Sequence, residues 1–303
     1  MANYLSLTVI FQGGNLNYSE STSSIMALKR LTFKGKSFSY ISRQALRYDI
    51  VRIMHEEYNI PLTPPGSDGK VVQFDAEAKI DQYPEIDLFG YMKTSGAGTK
   101  GKIRKAVVRL SDAISLEAWN NDIDYANNMG LSHRKEELEN MIFQAEIHKS
   151  FYTYTITIDL DNVGKDVNDK IDLSNKDKLD RIILLLDTIK ILYRDIKGRR
   201  EDLSPLFVIG GVYKSGNPFF YNKVFLTYVK RDSTQIVPEP INDTLEKTYL
   251  KNLKVKGSTY LGYVDGIFEN INEINLEENR RLNINEFFEK IKEDVKSAYQ
   301  GSK

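Results

Sequence analysis

The stretch Phe151-Tyr-Thr-Tyr-Thr-Ile-Thr-Ile-Asp-Leu160 decides how this chain is expected to fold. Tyr152, Tyr154, Ile156, Ile158 and Leu160 fall on one side of an extended backbone. Phe151, Thr153, Thr155, Thr157 and Asp159 fall on the other. Strict alternation in aromatic and β-branched residues predicts a strand with a buried face. After it, Ser174 and Asp177 form a capping box for a helix carrying Leu179, Ile182, Ile183, Leu186, Ile189 and Tyr193, with Gly198 at the expected C-cap. The N-terminal part has the same plan. Leu5, Leu7, Val9 and Phe11 share one strand face, Gly13-Gly14-Asn15 ends that strand, and Ser42 caps a helix to about Tyr58 through Leu46, Ile50, Ile53 and Met54. Further strands are expected at 38–41, 206–213, 223–229 and 259–268, and an amphipathic helix at about 283–299. Strand, helix, strand, twice over, is the order of an α+β fold with a split βαβ, ferredoxin-like core carrying a large insertion.

Residues 67–149 are less regular. Short strands are expected at 71–74, 87–92 and 107–110, and an exposed helix or arm at 132–146. A long stretch with little core patterning inside a compact chain reads as a functional insertion.

Composition narrows the chemistry. The 303 residues include no cysteine, which excludes a disulfide framework, a thiolate zinc site, an iron–sulfur cluster and a thiol nucleophile. The three histidines, His55, His133 and His148, are far apart and none forms a one-turn pair for a metal, so they read as one helix-face and two solvent-facing side chains. Gly96-Ala-Gly-Thr-Lys-Gly101 lacks the Gly-Lys-Ser/Thr of a phosphate loop. Asp159, Asp161, Asp166 and Asp169 fall short of a calcium loop, with no glutamate at its twelfth position. The expectation is no metal, no cofactor and no enzyme. No apolar run approaches the roughly 18 residues of a membrane span, and no signal-peptide pattern opens the chain, so a cytoplasmic location without membrane partners is expected.

Lys and Arg total 42, as do Asp and Glu, but the charges are unevenly spread. Residues 1–55 hold seven basic and two acidic side chains, and residues 90–111 hold six basic (Lys93, Lys100, Lys102, Arg104, Lys105 and Arg109) and no acid. Acids gather at 75–87, 159–180 and 265–294. Two basic windows, one Gly-rich, predict a surface that follows phosphates. Within the first, Arg43 and Arg47 stand one turn apart at a helix N-terminus, whose free N–H groups and positive dipole end suit phosphate.

Asn15-Leu-Asn-Tyr-Ser19, Leu28-Lys-Arg-Leu31 and Tyr40-Ile-Ser-Arg-Gln-Ala-Leu-Arg-Tyr-Asp49 resemble the N-terminal signature of the CRISPR Cascade backbone subunits, in the DevR-like type I-B branch. Ile86-Asp-Leu-Phe-Gly-Tyr-Met92, Val108-Arg-Leu-Ser-Asp-Ala-Ile-Ser-Leu-Glu117, Glu146-Ile-His-Lys-Ser-Phe-Tyr152 and Leu203-Ser-Pro-Leu-Phe-Val208 continue in that family's order. The resemblance implies a hand-like subunit: an RRM-like palm from 1–58 and 150–268, a finger insertion at 59–118, a thumb or arm at 119–149 and a C-terminal helical segment at 269–303. It implies several copies along one CRISPR RNA, with the target DNA strand reached through the guide heteroduplex and other Cascade subunits as partners.

Carried over by position, Asn15, Asn17, Lys29, Arg30, Ser42, Arg43, Gln44 and Arg47 would bind RNA in the palm. Lys93, Lys100, Lys102, Arg104 and Lys105 would bind from the fingers, and Lys214 and Asn217 from a loop at 209–218. Met129 and Leu131 would be thumb wedges. Related type III subunits cut target RNA with a loop aspartate. The corresponding 13–32 stretch holds Glu20 but no aspartate, so a non-catalytic role is expected. The alternatives are a CRISPR-RNA-processing endoribonuclease of ferredoxin-like fold, for which no histidine follows His148, and a structural module without RNA.

Overall fold

The computed structural model describes residues 3–19, 25–68, 71–94, 101–134, 142–230 and 233–301. Along the chain, β1 (Tyr4–Gly14) leads to a hairpin of β2 (Arg30–Phe33) and β3 (Lys36–Ile41), then to α1 (Arg43–Tyr58). After α2 (Pro84–Phe89) come β4 (Val108–Leu110) and β5 (Ala113–Ser115), then the antiparallel pair β6 (Ile123–Asn127) and β7 (Ile142–Glu146). The second half holds β8 (Lys149–Asp159), α3 (Asn175–Lys190), β9 (Phe207–Tyr213), β10 (Tyr260–Tyr263), β11 (Arg281–Asn283) and α4 (Ile284–Gln300).

The two alternating segments lie side by side. β1 and β8 pair antiparallel over their full length, with Leu5 opposite Ile158 and Phe11 opposite Tyr152. They sit inside a nine-stranded sheet of order β11-β10-β9-β1-β8-β5-β3-β2, with β4 also pairing β8. The chain is thus a mixed α+β structure built on one large sheet. Leu5, Leu7, Val9 and Phe11 of β1 and Tyr152, Tyr154, Ile156 and Ile158 of β8 are buried in one cluster with residues of α1, α3 and α4. On the opposite face Ile10, Phe207, Ile209 and Tyr213 pack with Phe220, Ile241, Leu245 and Leu261. The polar residues of that face pair across strands, Thr8 with Thr155 at 2.8 Å and Ser6 with Thr157 at 3.3 Å. Buried hydroxyls need such partners.

Two glycines expected in a ligand loop do a different job. Gly210 and Gly211 lie inside β9, where a Cβ would sit 2.0 Å from Ser6 O and 1.8 Å from Ser258 O respectively. They let neighbouring backbone close on the strand.

Other expectations are also corrected. Residues 87–92, read as a strand, are split between α2, which Pro84 starts at its first turn, and a short strand Tyr91–Lys93. The Asn- and Asp-rich stretch before Gly130 forms β6, and the expected helical arm at 132–146 ends instead in β7. α3 stops at Lys190, before Tyr193, and Gly198 turns a hairpin between Tyr193–Ile196 and Arg199–Asp202 with φ of 75°. His148, expected in solvent, is buried. Ser42, Ser174 and Asn283 cap α1, α3 and α4 through side-chain oxygens. Among the described residues no helix is long and apolar enough to cross a membrane.

Candidate nucleic-acid interface

At the end of β1, Asn15 adopts a left-handed φ of 56°, which Asn tolerates better than most residues. Its N–H donates to His148 O at 3.0 Å and its Oδ1 accepts from His148 N–H at 2.6 Å. The buried Asn17 accepts from Lys29 N–H at 2.8 Å through its carbonyl, and its own Nδ2 has no hydrogen-bond partner among the described residues. Arg30 is not free for phosphate. Its guanidinium lies 3.8 Å from the Trp119 ring centroid and pairs with Glu146 at 3.1 Å. The second Glu146 oxygen accepts from Leu28 N–H at 2.8 Å, and Trp119 Nε1–H donates to Ile147 O at 3.0 Å. Trp119, which sequence reasoning passed over, thus clamps the β2–β3 hairpin to the base of β7.

Beside this clamp, Ser39 Oγ lies 2.7 Å from both His148 Nδ1 and Tyr152 Oη. Burial holds the His148 pKa below its ordinary 6.5, with Asp122 opposing weakly. The unfolded chain therefore binds this proton more readily than the folded one. Stability is held above about pH 6.5 and lost as pH falls towards the lowered folded value, by at most about 1.4 kcal/mol per pH unit for one proton. Urea titrations between pH 7 and pH 5 should show this slope, and His148→Asn should flatten it.

A groove of about 740 Å³ opens between Gly13–Asn15, Glu117, Asp122, His148 and Arg199. Its charges are largely satisfied internally. Glu201 accepts from Gly14 N–H at 3.1 Å and pairs with Arg199 at 3.5 Å. Glu117 accepts from Phe151 N–H at 2.9 Å and from Ser150 Oγ–H, and burial pushes its carboxyl pKa up.

The N-terminus of α1 departs from expectation. Ala45 N–H donates to Ser42 Oγ at 3.3 Å and Arg43 N–H to Asp112 Oδ1 at 2.7 Å, so two of the amides expected to meet phosphate are already occupied. The side chains of Arg43 and Gln44 remain exposed. One turn on, Arg47 turns away to pair with Glu85 at 3.2 Å and stack near Phe89 at 5.1 Å. Arg43 and Arg47 do not form a pair of free cations.

The finger residues divide by burial. Lys93 is 3% exposed and donates to Ala78 O, while Arg104 is 9% exposed and bound to Asp87. Both are structural cations, which corrects their expected place on the RNA side. Lys102 pairs with Asp169 at 2.5 Å. Lys105 and Arg109 are exposed and, like Arg43, have no acidic partner among the described residues. Lys100 lies outside the described residues.

Lys214 and Asn217 follow β9 at the opposite end of the sheet, where Lys214 Nζ donates to Asn3 Oδ1 at 2.5 Å. β1 spans 11 residues between that end and Asn15. At about 3.4 Å per residue the two groups stand roughly 35 Å apart, so only an extended ligand can meet both.

Met129, in the connection after β6, is 45% exposed, and the Leu131 side chain lies outside the described set. Tyr125, Ile142 and Phe143, which sequence reasoning did not single out, add exposed apolar surface on the same pair of strands. The period-two pattern at 123–127 was the available signal, masked by its Asn and Asp content.

Residues 5–233 match the model of the family described as CRISPR-associated negative auto-regulator DevR/Csa2. The chain belongs to this family. A relative from Myxococcus xanthus (strain DK1622), described as CRISPR-associated protein Cas7/Cst2/DevR, is 25% identical over 151 residues, 45% of this chain and 50% of that protein. The chain thus spans about half the length of the curated relative it matches. Two solved structures share the fold. One is a chain of a CRISPR RNA-guided surveillance complex (TM-score 0.59, 9% identity, covering 99% of this chain and 100% of that chain). The other is a chain of such a complex in a pre-nicking state (TM-score 0.62, 10% identity, covering 97% of this chain and 100% of that chain). All the candidate RNA residues fall within the segment that matches the DevR/Csa2 family, whereas β10, β11 and α4 lie beyond it.

Proposed function

We propose that this chain is a non-catalytic CRISPR RNA-binding backbone subunit, one of several copies along the guide in a type I-B Cascade effector. The observation that carries this reading is the set of exposed cations without acidic partners among the described residues. Arg43 and Gln44 start α1, the Arg43 amide is tied to Asp112, and Arg109 stands three residues before Asp112 on β4, with Lys105 just upstream. Exposed guanidinium and ammonium groups without acidic partners are open to phosphate, and contacts to phosphate add affinity that does not depend on sequence. Membership of the DevR/Csa2 family and the likeness to surveillance-complex chains support the same reading.

In it, the order β9-β1-β8-β5, with α1 after β1 and α3 after β8, forms an RRM-like palm. The 59–118 insertion forms fingers. The β6–β7 pair forms a thumb whose apolar tip, with Met129 and Leu131, interrupts guide–target pairing. Lys29, Lys105 and Arg109 join Arg43 and Gln44 on the RNA backbone, and Lys214 and Asn217 meet it further along. Asn15 and Asn17 hold the palm edge beside it. The guide's own pairing supplies recognition of target DNA, as in other RNA-guided effectors.

Arg43→Ala tests this with labelled CRISPR RNA in anisotropy titrations across salt. The variant should weaken binding about equally on unrelated RNA sequences, with the log–log salt slope shallower by about 0.7. A loss confined to one sequence would contradict backbone reading.

A further inference from the structure

A groove of about 570 Å³ lies on the helical side of the sheet, between the end of α1, the first turns of α3 and the segment before α2. Its apolar lining is Tyr58, Ile60, Pro84, Leu173 and Leu184, each only half-buried, so each presents hydrocarbon to the opening. Three exposed carboxylates, Asp81, Asp177 and Asp180, stand around it. The one cation in the lining, Arg181, is spent inside the protein, on Asp87 at 2.5 Å and on Asp81 O at 3.2 Å. The Lys176–Asp180 pair is long, 3.9 Å, with Lys176 84% exposed, so it neutralises little.

An apolar floor with an acidic rim repels phosphate. Its volume lies within the roughly 300–1,000 Å³ of ordinary ligand clefts. We infer that this groove is a docking site for a short segment of another polypeptide, one that places arginine or lysine beside branched aliphatic residues. The aliphatic side chains cover Tyr58, Ile60 and Leu184, and the cations meet Asp81 and Asp180 at the rim. The apolar burial supplies affinity, and the charges set which partner is accepted and how fast it arrives. The assignment does not depend on RNA binding, because none of the lining residues belongs to the proposed RNA surface.

The test uses the full chain and two fluorescein-labelled 12-residue peptides of equal aliphatic content, one with four arginines and one with four glutamates. Anisotropy at low salt should show binding of the arginine peptide at least tenfold tighter than the glutamate peptide. Asp81→Lys/Asp180→Lys should weaken the arginine peptide about tenfold or more, with RNA affinity and thermal midpoint unchanged. Leu184→Ser should weaken it several-fold without altering salt dependence. As a control, Glu289→Lys/Glu293→Lys on the outer face of α4 should leave it unchanged. The inference is overturned if neither peptide binds, if the control reversal weakens binding as much as the groove reversal, or if RNA competes for the arginine peptide's site on the protein. Retained peptide binding in an Arg43→Ala protein that has lost RNA affinity would support the groove and separate it from the RNA surface.

Discussion

Replacing Asp87 with alanine is expected to cost about 3–5 kcal/mol of folding stability, because it leaves two arginines buried without their counter-charge. Asp87 is 0% exposed. One of its oxygens takes Arg104 at 2.6 Å, the other takes Arg181 at 2.5 Å, and Gly164 N–H donates to both at 2.9 and 3.1 Å. Arg104 also donates to Lys165 O at 3.0 Å and to Asn162 O at 3.2 Å. One carboxylate therefore ties α2, the strand Lys102–Arg104, the turn after β8 and α3 into a single body. A loss of that size is a large share of the 5–15 kcal/mol typical of a folded protein, so the variant should unfold at markedly lower urea. The triple replacement Asp87→Leu/Arg104→Met/Arg181→Met should recover much of the loss, since removing all the charges removes the unpaired ones. A change below about 1 kcal/mol for Asp87→Ala would contradict the clamp.

Phe288→Ala is the second large effect, also at about 3–5 kcal/mol. Phe287 and Phe288 are fully buried, packed edge to face at 5.7 Å, and share the main core with Ile291 and Val295 of α4. α4 packs on α3 and on β9 and β10. Gly262 of β10 leaves the room: a Cβ there would sit 2.7 Å from Phe287 Cβ. The C-terminal helix is therefore part of the central core, although it lies beyond residues 5–233 matched to the family. Chemical denaturation followed by far-UV circular dichroism would measure the cost. A stability within 1 kcal/mol of the parent would mean that α4 is not part of the cooperative unit.

The long elements were legible because local signals and burial agree in them. Leu5, Leu7, Val9 and Phe11 alternate, and all four face the helices. Ser42 and Ser174 read as N-caps, and each accepts the backbone N–H three residues on. The middle was harder, for a physical reason. Its strands run only three to five residues, too short for a period to emerge, and their partners are set by tertiary contacts. Asp87 sits in a run of acids that reads as solvent-facing, and nothing local shows that two arginines from distant segments bury it. Lys93 and Arg104 are expected on the RNA side from their charge and their place in the finger segment, and neither shows which cations are already paired. Gly198 looked like a helix C-cap because apolar spacing continues to Tyr193, but α3 ends at Lys190 and the glycine serves the next turn. At the site, the exposure of Arg43 and Gln44 followed from the capped helix start, while Asp112 filling the Arg43 amide had no sequence signal.

The balanced total charge also takes on a spatial meaning. Arg43, Lys105 and Arg109 are exposed without acidic partners among the described residues, whereas Asp81, Asp177 and Asp180 line the groove between the helices. One protein can then meet a polyanion and a basic polypeptide on separate surfaces.

The most direct measurement of the central claim is purification of the chain co-expressed with a CRISPR array, followed by nuclease digestion and sizing of the protected RNA. The account predicts a ribonucleoprotein oligomer whose protected RNA lengthens in equal steps with each added copy, for any spacer sequence. Protein that emerges as a nucleic-acid-free monomer at low salt would contradict it, and array RNA cut to unit length by this chain alone would replace it with an endoribonuclease.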